Sequence, residues 1–338
     1  MAGGPSLAVV GAGAWGTTLA TLLSKSAPVT LFARDEAHAS ILRADGENKH
    51  YLPGVPLGER ISVTADPGEL ASATELVVFA VPSRAMRATT ATVAGSLADA
   101  AVLLSVAKGI EAGSLLRMTE VIAAEVPGAE GRVAALSGPI LALEISRGLP
   151  AAAVIGATDD EVSRRAVDVL GGRTFRLYRN RDIVGVELAG ALKNIVAIVA
   201  GAVEELGAGD NAKAAITTRG LAEMTRLGVA MGANPLTFAG LAGIGDILAT
   251  STSALSRNHR LGVELASGRR WSEIEGSLPG VAEGAYTVQA AIELAARHHV
   301  EMPIAEQVHA VLYEGKDVRA SVVDLLARSS KDELTGEA

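Results

Sequence analysis

Hydrophobic positions in the first half of the chain fall into short β-branched blocks, separated by longer stretches with helical spacing. Strands are predicted at residues 7–10, 29–32, 76–81, 102–105 and 133–136, with helices such as 15–26 and 114–126 between several of them. That alternation predicts a mostly parallel sheet with helices on both faces, because parallel neighbours need a crossover and the crossing helix covers the sheet. Two further strand-like runs, 152–155 and 175–177, flank a helical 161–170. Beyond about residue 183 the texture changes. Runs at 183–206, 213–231, 235–240, 256–266 and 286–298 show helical periodicity broken by glycine, without a convincing strand. The expected organisation is an α/β N-terminal domain over residues 1–183, an all-α C-terminal domain over 184–330 and a frayed polar tail at 331–338.

A length of 338 residues suits two domains. The chain is 49% hydrophobic but only 3% aromatic and holds 37 glycines, so its core is built from small residues whose backbones can approach closely. A net charge of −8 disfavours a general electrostatic grip on nucleic acid or an anionic membrane, while leaving room for a local basic site that takes a small anion. The absence of cysteine excludes disulfides, thiolate catalysis and Cys-ligated zinc, and fits the reducing cytoplasm, which is the expected location. The N-terminal residues lack the basic n-region of a signal peptide, and the KDEL string at 331–334 is not C-terminal. Residues 184–203 are long enough to cross a bilayer, but they carry Glu187, Lys193 and Asn194. A lysine at the centre of a span costs roughly 2.5–3.5 kcal/mol, so a buried helix is expected and no integral membrane segment. His38, His50, His259, His298, His299 and His309 show no ligand spacing with acidic partners, and no metal site is expected.

The segment LAVVGAGAWG places Gly11, Gly13 and Gly16 directly after the first strand, with Ala14 and Trp15 opening a helix. In this pattern Gly11 permits a tight turn, Gly13 lets a pyrophosphate approach the backbone and Gly16 lets helix and strand pack closely. The free N–H groups of the helix N-terminus then face the phosphates. Strand, motif and helix coincide, so the α/β half is expected to be of the Rossmann type and to bind a dinucleotide. The second strand runs out in LFARD, where Arg34 suits the 2′-phosphate of NADP. NADPH is therefore the favoured cofactor, with NADH open and an exposed Arg34–Asp35 turn as the alternative.

The run AGALKNIVAIVAGAV is apolar or tiny except at Lys193 and Asn194, and a lysine there is costly unless something uses or neutralises it. A snorkelling lysine is the plain alternative. Lys108, in LLSVAKGI, lies just past a strand, where open α/β sheets bind their ligands. Ser137, Gly138 and Pro139 make a tight strand exit, and LAGIGDILATSTSALSRN supplies Asp246, Thr250, Ser256, Arg257 and Asn258. Arg257 with Asn258 has the makings of a phosphate clamp, since a guanidinium matches phosphate oxygens.

On GAGAWG, LFARD, VAKGI, SGP, VELAGALKNIVAI, NAKAAITTRGLAEM, LAGIGD and SRN, in that order from residue 7 to about 326, the chain resembles the NAD(P)-dependent glycerol-3-phosphate dehydrogenases of bacteria. A bare dinucleotide-binding protein shares only the first of these. The resemblance implies reversible reduction of dihydroxyacetone phosphate to sn-glycerol 3-phosphate, a glycerophospholipid precursor. It implies that Lys193 is the proton donor and acceptor, with Lys108, Asp246, Asn194 and Thr250 beside it. The phosphate-bearing substrate is then held by Lys108, Gly138, Lys193, Asp246, Ser256, Arg257 and Asn258. Gly11, Gly13, Ala14, Trp15, Gly16, Arg34, Tyr51, Lys108, Ala142, Arg257, Val281 and Glu283 are the implied cofactor contacts. Two positions depart from the pattern. Ile140 stands where many members carry a polar side chain after SGP, and Ala14 stands where a hydroxyl is common. A related reductase acting on a ketopantoate- or 2-hydroxy-acid-like substrate shares the general plan, and a non-catalytic NADPH-binding regulator is a third reading. A homodimer through the helical half is expected, although its Ala- and Gly-rich helices equally explain ordinary core packing.

Overall fold

Four-residue apolar blocks form the centre of an eight-stranded sheet. A computed structural model describes residues 7–277 and 280–327; residues 1–6 and 328–338, including the tail expected at 331–338, lie outside it. The strands are β1 (Leu7–Val10), β2 (Val29–Phe32), β3 (Ile61–Thr64), β4 (Leu76–Phe79), β5 (Val102–Ser105), β6 (Val133–Ser137), β7 (Ala151–Gly156) and β8 (Phe175–Asn180). Their order is β3-β2-β1-β4-β5-β6-β7-β8, and only β6 and β7 pair antiparallel. The chain steps outward from β1 to β3 and returns to the other side of β1 at β4. Val10 is level with both Phe32 and Phe79, so the exits of three central strands open at one edge, where the strand order reverses. Alternate residues face opposite layers: Val78 meets Leu19, Leu23 and Ala166 on one side, while Val77 and Phe79 meet Met86, Val121 and Ile122 on the other.

β1, β2 and β5 have the predicted bounds. β4 stops at Phe79, two residues before its predicted end, although Ala80 N still donates to Val10 O (2.8 Å). β3 was not expected: it is an edge strand whose half-exposed Ile61 and exposed Ser62 blur the hydrophobic signal. β8 runs three residues past its prediction for the same reason, with Arg176, Tyr178 and Arg179 facing outward. The helix expected at 114–126 begins only at Met118. Gly113 (φ 82°) and Leu115 (φ 62°) both adopt left-handed backbone and fold residues 110–117 into a hairpin instead.

From Ile183 onward the chain is helical among the described residues. The central helix, Ile183–Glu205, is buried from Gly185 to Val203. It is long and apolar enough to cross a bilayer, but protein covers it on all sides. Asp182 caps it by accepting from Gly185 N (2.8 Å), and also accepts from Asn234 N (2.8 Å) and Thr237 Oγ1 (2.7 Å), tying the helix start to the Pro235–Phe238 turn. Gly209–Ala230, Asp246–Thr252, Arg257–Ala266 and Glu283–Arg297 pack around it. The Gly209 helix starts four residues before the expected 213, and the run expected at 235–240 is a single turn followed by a π-helical turn, Leu241–Gly245.

Candidate active site

Gly11 leaves β1 with φ 111°, and a Cβ there would lie 2.7 Å from the Ala80 carbonyl oxygen. At Gly16 a Cβ would sit 1.8 Å from the Gly11 carbonyl oxygen, so only glycine lets the Ala14–Leu23 helix stand this close to the loop. A Cβ on Gly13 meets nothing within 4 Å. Gly13 is also the N-cap, with no side-chain cap and no acidic residue in the first turn. The first-turn N–H groups thus have no side-chain cap and the space beside Gly13 is open, so this end fits a pyrophosphate. Asn48, fully buried, braces the loop by donating to Ala12 O (2.9 Å) and Thr17 Oγ1 (2.7 Å). Nothing in the local sequence pattern signals that role.

Beyond β2, the exposed Arg34 places Nε 3.0 Å from Asp35 Oδ2, while Asp35 Oδ1 accepts from His38 N (2.7 Å) and caps the Glu36–Asp45 helix. The carboxylate is thus engaged locally and the rest of the guanidinium faces solvent. Tyr51 lies between His38 and His50, with ring centroids 5.9 and 4.4 Å away. Trp15 sets its ring edge-on to Phe175, and its Nε1 is buried without a partner. Ala142 O accepts from Thr18 Oγ1 (3.3 Å), seating the Ala142–Ser146 helix on the glycine-loop helix. The half-buried Ile140 packs into the same apolar cluster as Trp15, so its side chain brings no polar group to the cleft.

Two lysines from different segments converge on one carboxylate. Lys108, just past β5, places Nζ 2.5 Å from Asp246 Oδ2 and 3.0 Å from the Gly138 carbonyl oxygen. Lys193 places Nζ 3.0 Å from Asp246 Oδ1 and donates to Thr250 Oγ1 at 2.6 Å. Asp246 and Thr250 are one turn apart on the Asp246–Thr252 helix, and the threonine hydroxyl lies 3.1 Å from Asp246 Oδ1. Gly190, one turn before Lys193, leaves the room this needs: a Cβ there would come 2.5 Å from Ser137 Oγ and 3.5 Å from the Lys108 stem. Burial lowers the proton affinity of Lys193 and Asp246 opposes it; Lys108 and Arg257 add to the lowering, and the result is a pKa of about 8. Burial alone would raise the Asp246 carboxyl, but the two ammonium groups hold it below its ordinary range.

The other predicted residues form an adjoining network. Asn194 Oδ1 accepts from Asn258 Nδ2 (2.8 Å), and Asn258 Oδ1 accepts from Gly284 N (2.9 Å), joining three helices. Ser256 caps the Arg257–Ala266 helix by accepting from His259 N (3.2 Å). Arg257 is exposed, with its guanidinium against Gly280 and close enough to Glu283 to interact electrostatically. Glu283 accepts from Ser83 N (3.2 Å) and Ser83 Oγ (2.5 Å), which links the helical half to the exit of β4. Val281 is half-buried in the segment leading to it. Ser83 escaped the sequence reading, although a polar residue just past a parallel strand is a usable signal. Lys108, Gly138, Lys193, Asp246 and Thr250 meet directly. Arg34 and Tyr51 stand apart, on the β2 side.

A proton-carrying lysine, held beside a second cation at the carboxyl edge of the sheet, can protonate the oxygen of a carbonyl on an anionic molecule, and a reduced dinucleotide in the glycine-loop cradle would supply the hydride. Comparison with known proteins points the same way. A family model described as NAD-dependent glycerol-3-phosphate dehydrogenase N-terminus matches residues 6–163, and one described as its C-terminus matches residues 182–323. The chain is 47% identical over 330 residues to the glycerol-3-phosphate dehydrogenase (NAD(P)+) of Moorella thermoacetica, covering 97% of this chain and 98% of that one. It is 45% identical over 329 residues to the protein of that name from Citrifermentans bemidjiense, with coverage of 97% and 98%. Among solved structures, glycerol-3-phosphate dehydrogenase from Coxiella burnetii superposes with a TM-score of 0.90 at 36% identity, covering 96% of this chain and 99% of that one. A PanE/ApbA family ketopantoate reductase from Ralstonia eutropha JMP134 shares the fold at a TM-score of 0.60 and 17% identity, covering 95% and 99%. The chain belongs to the NAD-dependent glycerol-3-phosphate dehydrogenase family.

Proposed function

We propose that this protein catalyses the reversible reduction of dihydroxyacetone phosphate to sn-glycerol 3-phosphate with NADPH or NADH, supplying a glycerophospholipid precursor. The observation that carries the reading is the pair of lysines sharing Asp246 beside the glycine loop. The family's full-length relatives support it. When bound, the reduced nicotinamide supplies the hydride that adds to the ketone carbon. Lys193 then meets the developing alkoxide with positive charge and a proton, and takes the proton back in the reverse direction. Asp246 and Thr250 orient the Lys193 ammonium, and Lys108 adds positive charge to the same cleft. Arg257 and Asn258 hold the phosphate, with Ser256 fixing the helix end that presents them. The glycine loop with Ala14 and Trp15, and Ala142, Val281 and Glu283 at the cleft, serve the cofactor. Arg34 favours NADPH, because the Asp35 carboxylate beside it is engaged as a helix cap, and Tyr51 lines the same side of the site.

The same reading makes residues 1–183 the nucleotide-binding domain and 184–330 the substrate domain, which the two family-model ranges support. It carries a cytoplasmic location, in keeping with a cysteine-free chain, and a homodimer, which light scattering on the purified protein decides.

The direct test follows loss of reduced-nicotinamide absorbance with dihydroxyacetone phosphate, other ketose phosphates and ketopantoate as separate substrates. A folded protein that turns over no ketose phosphate with either cofactor refutes the reading. The pH dependence has a defined sign. Reduction needs the Lys193 ammonium, so kcat/KM for dihydroxyacetone phosphate should be level below about pH 8 and fall above it. Oxidation of glycerol 3-phosphate needs the free amine, so it should rise toward about pH 8 and then level. Profiles that bend the same way in both directions would remove Lys193 from the proton step. Arg257→Ala should raise KM for dihydroxyacetone phosphate roughly 10- to 100-fold, the effect of losing a charge-assisted hydrogen bond of about 1.5–3 kcal/mol. An unchanged KM would show that Arg257 does not hold the phosphate.

A further inference from the structure

Lys108 lies two residues before a short hairpin, residues 110–117, whose far end is Arg117. Ile110 bridges to Arg117, Glu111 N donates to Leu116 O (2.9 Å), and Leu115 N donates to Glu111 O (2.9 Å). The turn holds Leu115 at φ 62°, a conformation that L-residues other than Asn and Asp rarely adopt, so the surroundings must impose it. The hairpin straddles two cores. Leu115 is buried in the core of the helical half, whereas Leu116 and Met118 pack into the layer over the sheet.

Glu187 of the central helix grips the far end of this hairpin. Its carboxylate is buried and accepts from Arg117 Nη1 (2.5 Å), Thr119 Oγ1 (2.6 Å) and Thr119 N (2.9 Å). Arg117 is also paired with Glu120 (2.7 Å). None of these groups touches the lysines, Asp246 or the glycine loop, so the mechanism above leaves this buried ion pair unused. A well-packed apolar pair would serve cohesion as well, because desolvating two charges offsets most of their attraction. What an ion pair with three directed hydrogen bonds adds is register. One segment carries Lys108 and Arg117, and the other carries Glu187 and Lys193. Fastening Arg117 to Glu187 therefore sets the two catalytic lysines relative to each other, so that each meets one oxygen of Asp246.

We propose that Glu187 is a positioning residue: with Arg117 and Thr119 it clamps the 110–117 hairpin to the central helix and thereby holds Lys108 at Asp246 beside Lys193. This rests on the reading that the two lysines act on the substrate. Glu187→Gln keeps the shape and the acceptor for Thr119 N but removes the charge that holds Arg117. It should lower kcat for dihydroxyacetone phosphate roughly ten- to a hundredfold. Around Lys193 the charged groups are Asp246, Lys108 and Arg257. When Lys108 drifts away, a like charge leaves and Asp246 is no longer shared, so the alkaline limb of the reduction profile should move to higher pH. Lys108→Ala should move it the same way, and adding Glu187→Gln to that variant should cost little more. A readout independent of turnover is acylation of Lys108 by an amine-reactive reagent, quantified by peptide mass spectrometry, which should be faster in Glu187→Gln.

A melting temperature that drops while the limb and the Lys108 acylation rate stay put would make Glu187 a structural staple only and overturn the proposal. Full additivity of Glu187→Gln with Lys108→Ala would overturn it too. If Glu187→Gln does not fold, Arg117→Lys, which keeps the charge but loses the forked donor, should show the same shifts at smaller size, and its failure to do so counts equally against the clamp. Should the wild type not reduce dihydroxyacetone phosphate, the reaction assignment falls while the acylation comparison still decides the clamp.

Discussion

Lys193→Ala should lose kcat for dihydroxyacetone phosphate reduction by roughly 10³- to 10⁵-fold while NADPH binds as tightly as to the wild type. A positioned general acid contributes about 10²- to 10⁴-fold, and a buried charge facing a developing oxyanion about 10²- to 10³-fold. The two overlap in one ammonium group, so the losses do not simply multiply. The fold should tolerate the change. Alanine removes a charge that the interior disfavours, and Asp246 retains Lys108 and Thr250 as partners. Lys193 pairs with Asp246 and Thr250, neither of which belongs to the glycine loop, so a fluorescence titration with NADPH should be unaltered. Lys193→Arg provides a sharper version. Its guanidinium keeps the positive charge but does not release a proton near neutral pH, so it should restore little of the lost rate. Retention of more than about a tenth of wild-type kcat in either variant would move the proton step to another group.

Legibility in the sequence followed how local each cause is. The glycine loop was readable because its three glycines answer constraints set by neighbours a few residues away, such as the contact of Gly16 with the Gly11 carbonyl. β1, β2 and β5 were readable because buried parallel strands are apolar at nearly every position, Thr30 and the terminal Ser105 being the exceptions. β3 and the end of β8 were not, since an edge strand exposes one side and resembles a loop in composition. Lys193 drew attention as a charge in an apolar run, but its pairing with Asp246 depends on how the Asp246–Thr252 helix docks, which no spacing encodes. The 114–126 helix was misplaced at its start because periodicity is blind to a leucine forced into left-handed backbone. Asn194 is expected beside the proton-donating lysine and Ser256 at the substrate. In the fold, one oxygen of each is already engaged, with Asn258 and with the backbone of His259 respectively. Asn48, Ser83 and Glu187 could not be given their roles for a common reason: their partners lie far away along the chain.

Gly262→Ala should be the most damaging small substitution in the helical half. A methyl group there would sit 1.8 Å from the Ile198 carbonyl oxygen and 2.8 Å from Ala202 N. Both are backbone atoms of the central helix, so no side chain can rotate away and the two helices must separate. The contact is reciprocal: a Cβ on Gly201 would come 2.0 Å from the His259 carbonyl oxygen. Overpacking a tight interior costs about 1–3 kcal/mol, and more where only backbone can yield, so a loss of about 3 kcal/mol or more is expected. For a chain of 338 residues that lowers the melting temperature by on the order of 4 °C or more. Function should suffer before unfolding does. The Arg257–Ala266 helix presents Arg257 and Asn258, and the central helix presents Lys193 and Asn194, so widening the crossing pulls the phosphate clamp from the proton donor and breaks the 2.8 Å Asn258–Asn194 bond. KM for dihydroxyacetone phosphate should therefore rise at temperatures where circular dichroism still reports a folded protein. Gly201→Ala should act alike, and the double variant should cost less than the sum, because the first methyl has already opened the crossing that the second would strain. Unchanged melting and unchanged KM in Gly262→Ala would mean that this crossing can relax freely and that backbone contact is not what aligns the clamp with Lys193.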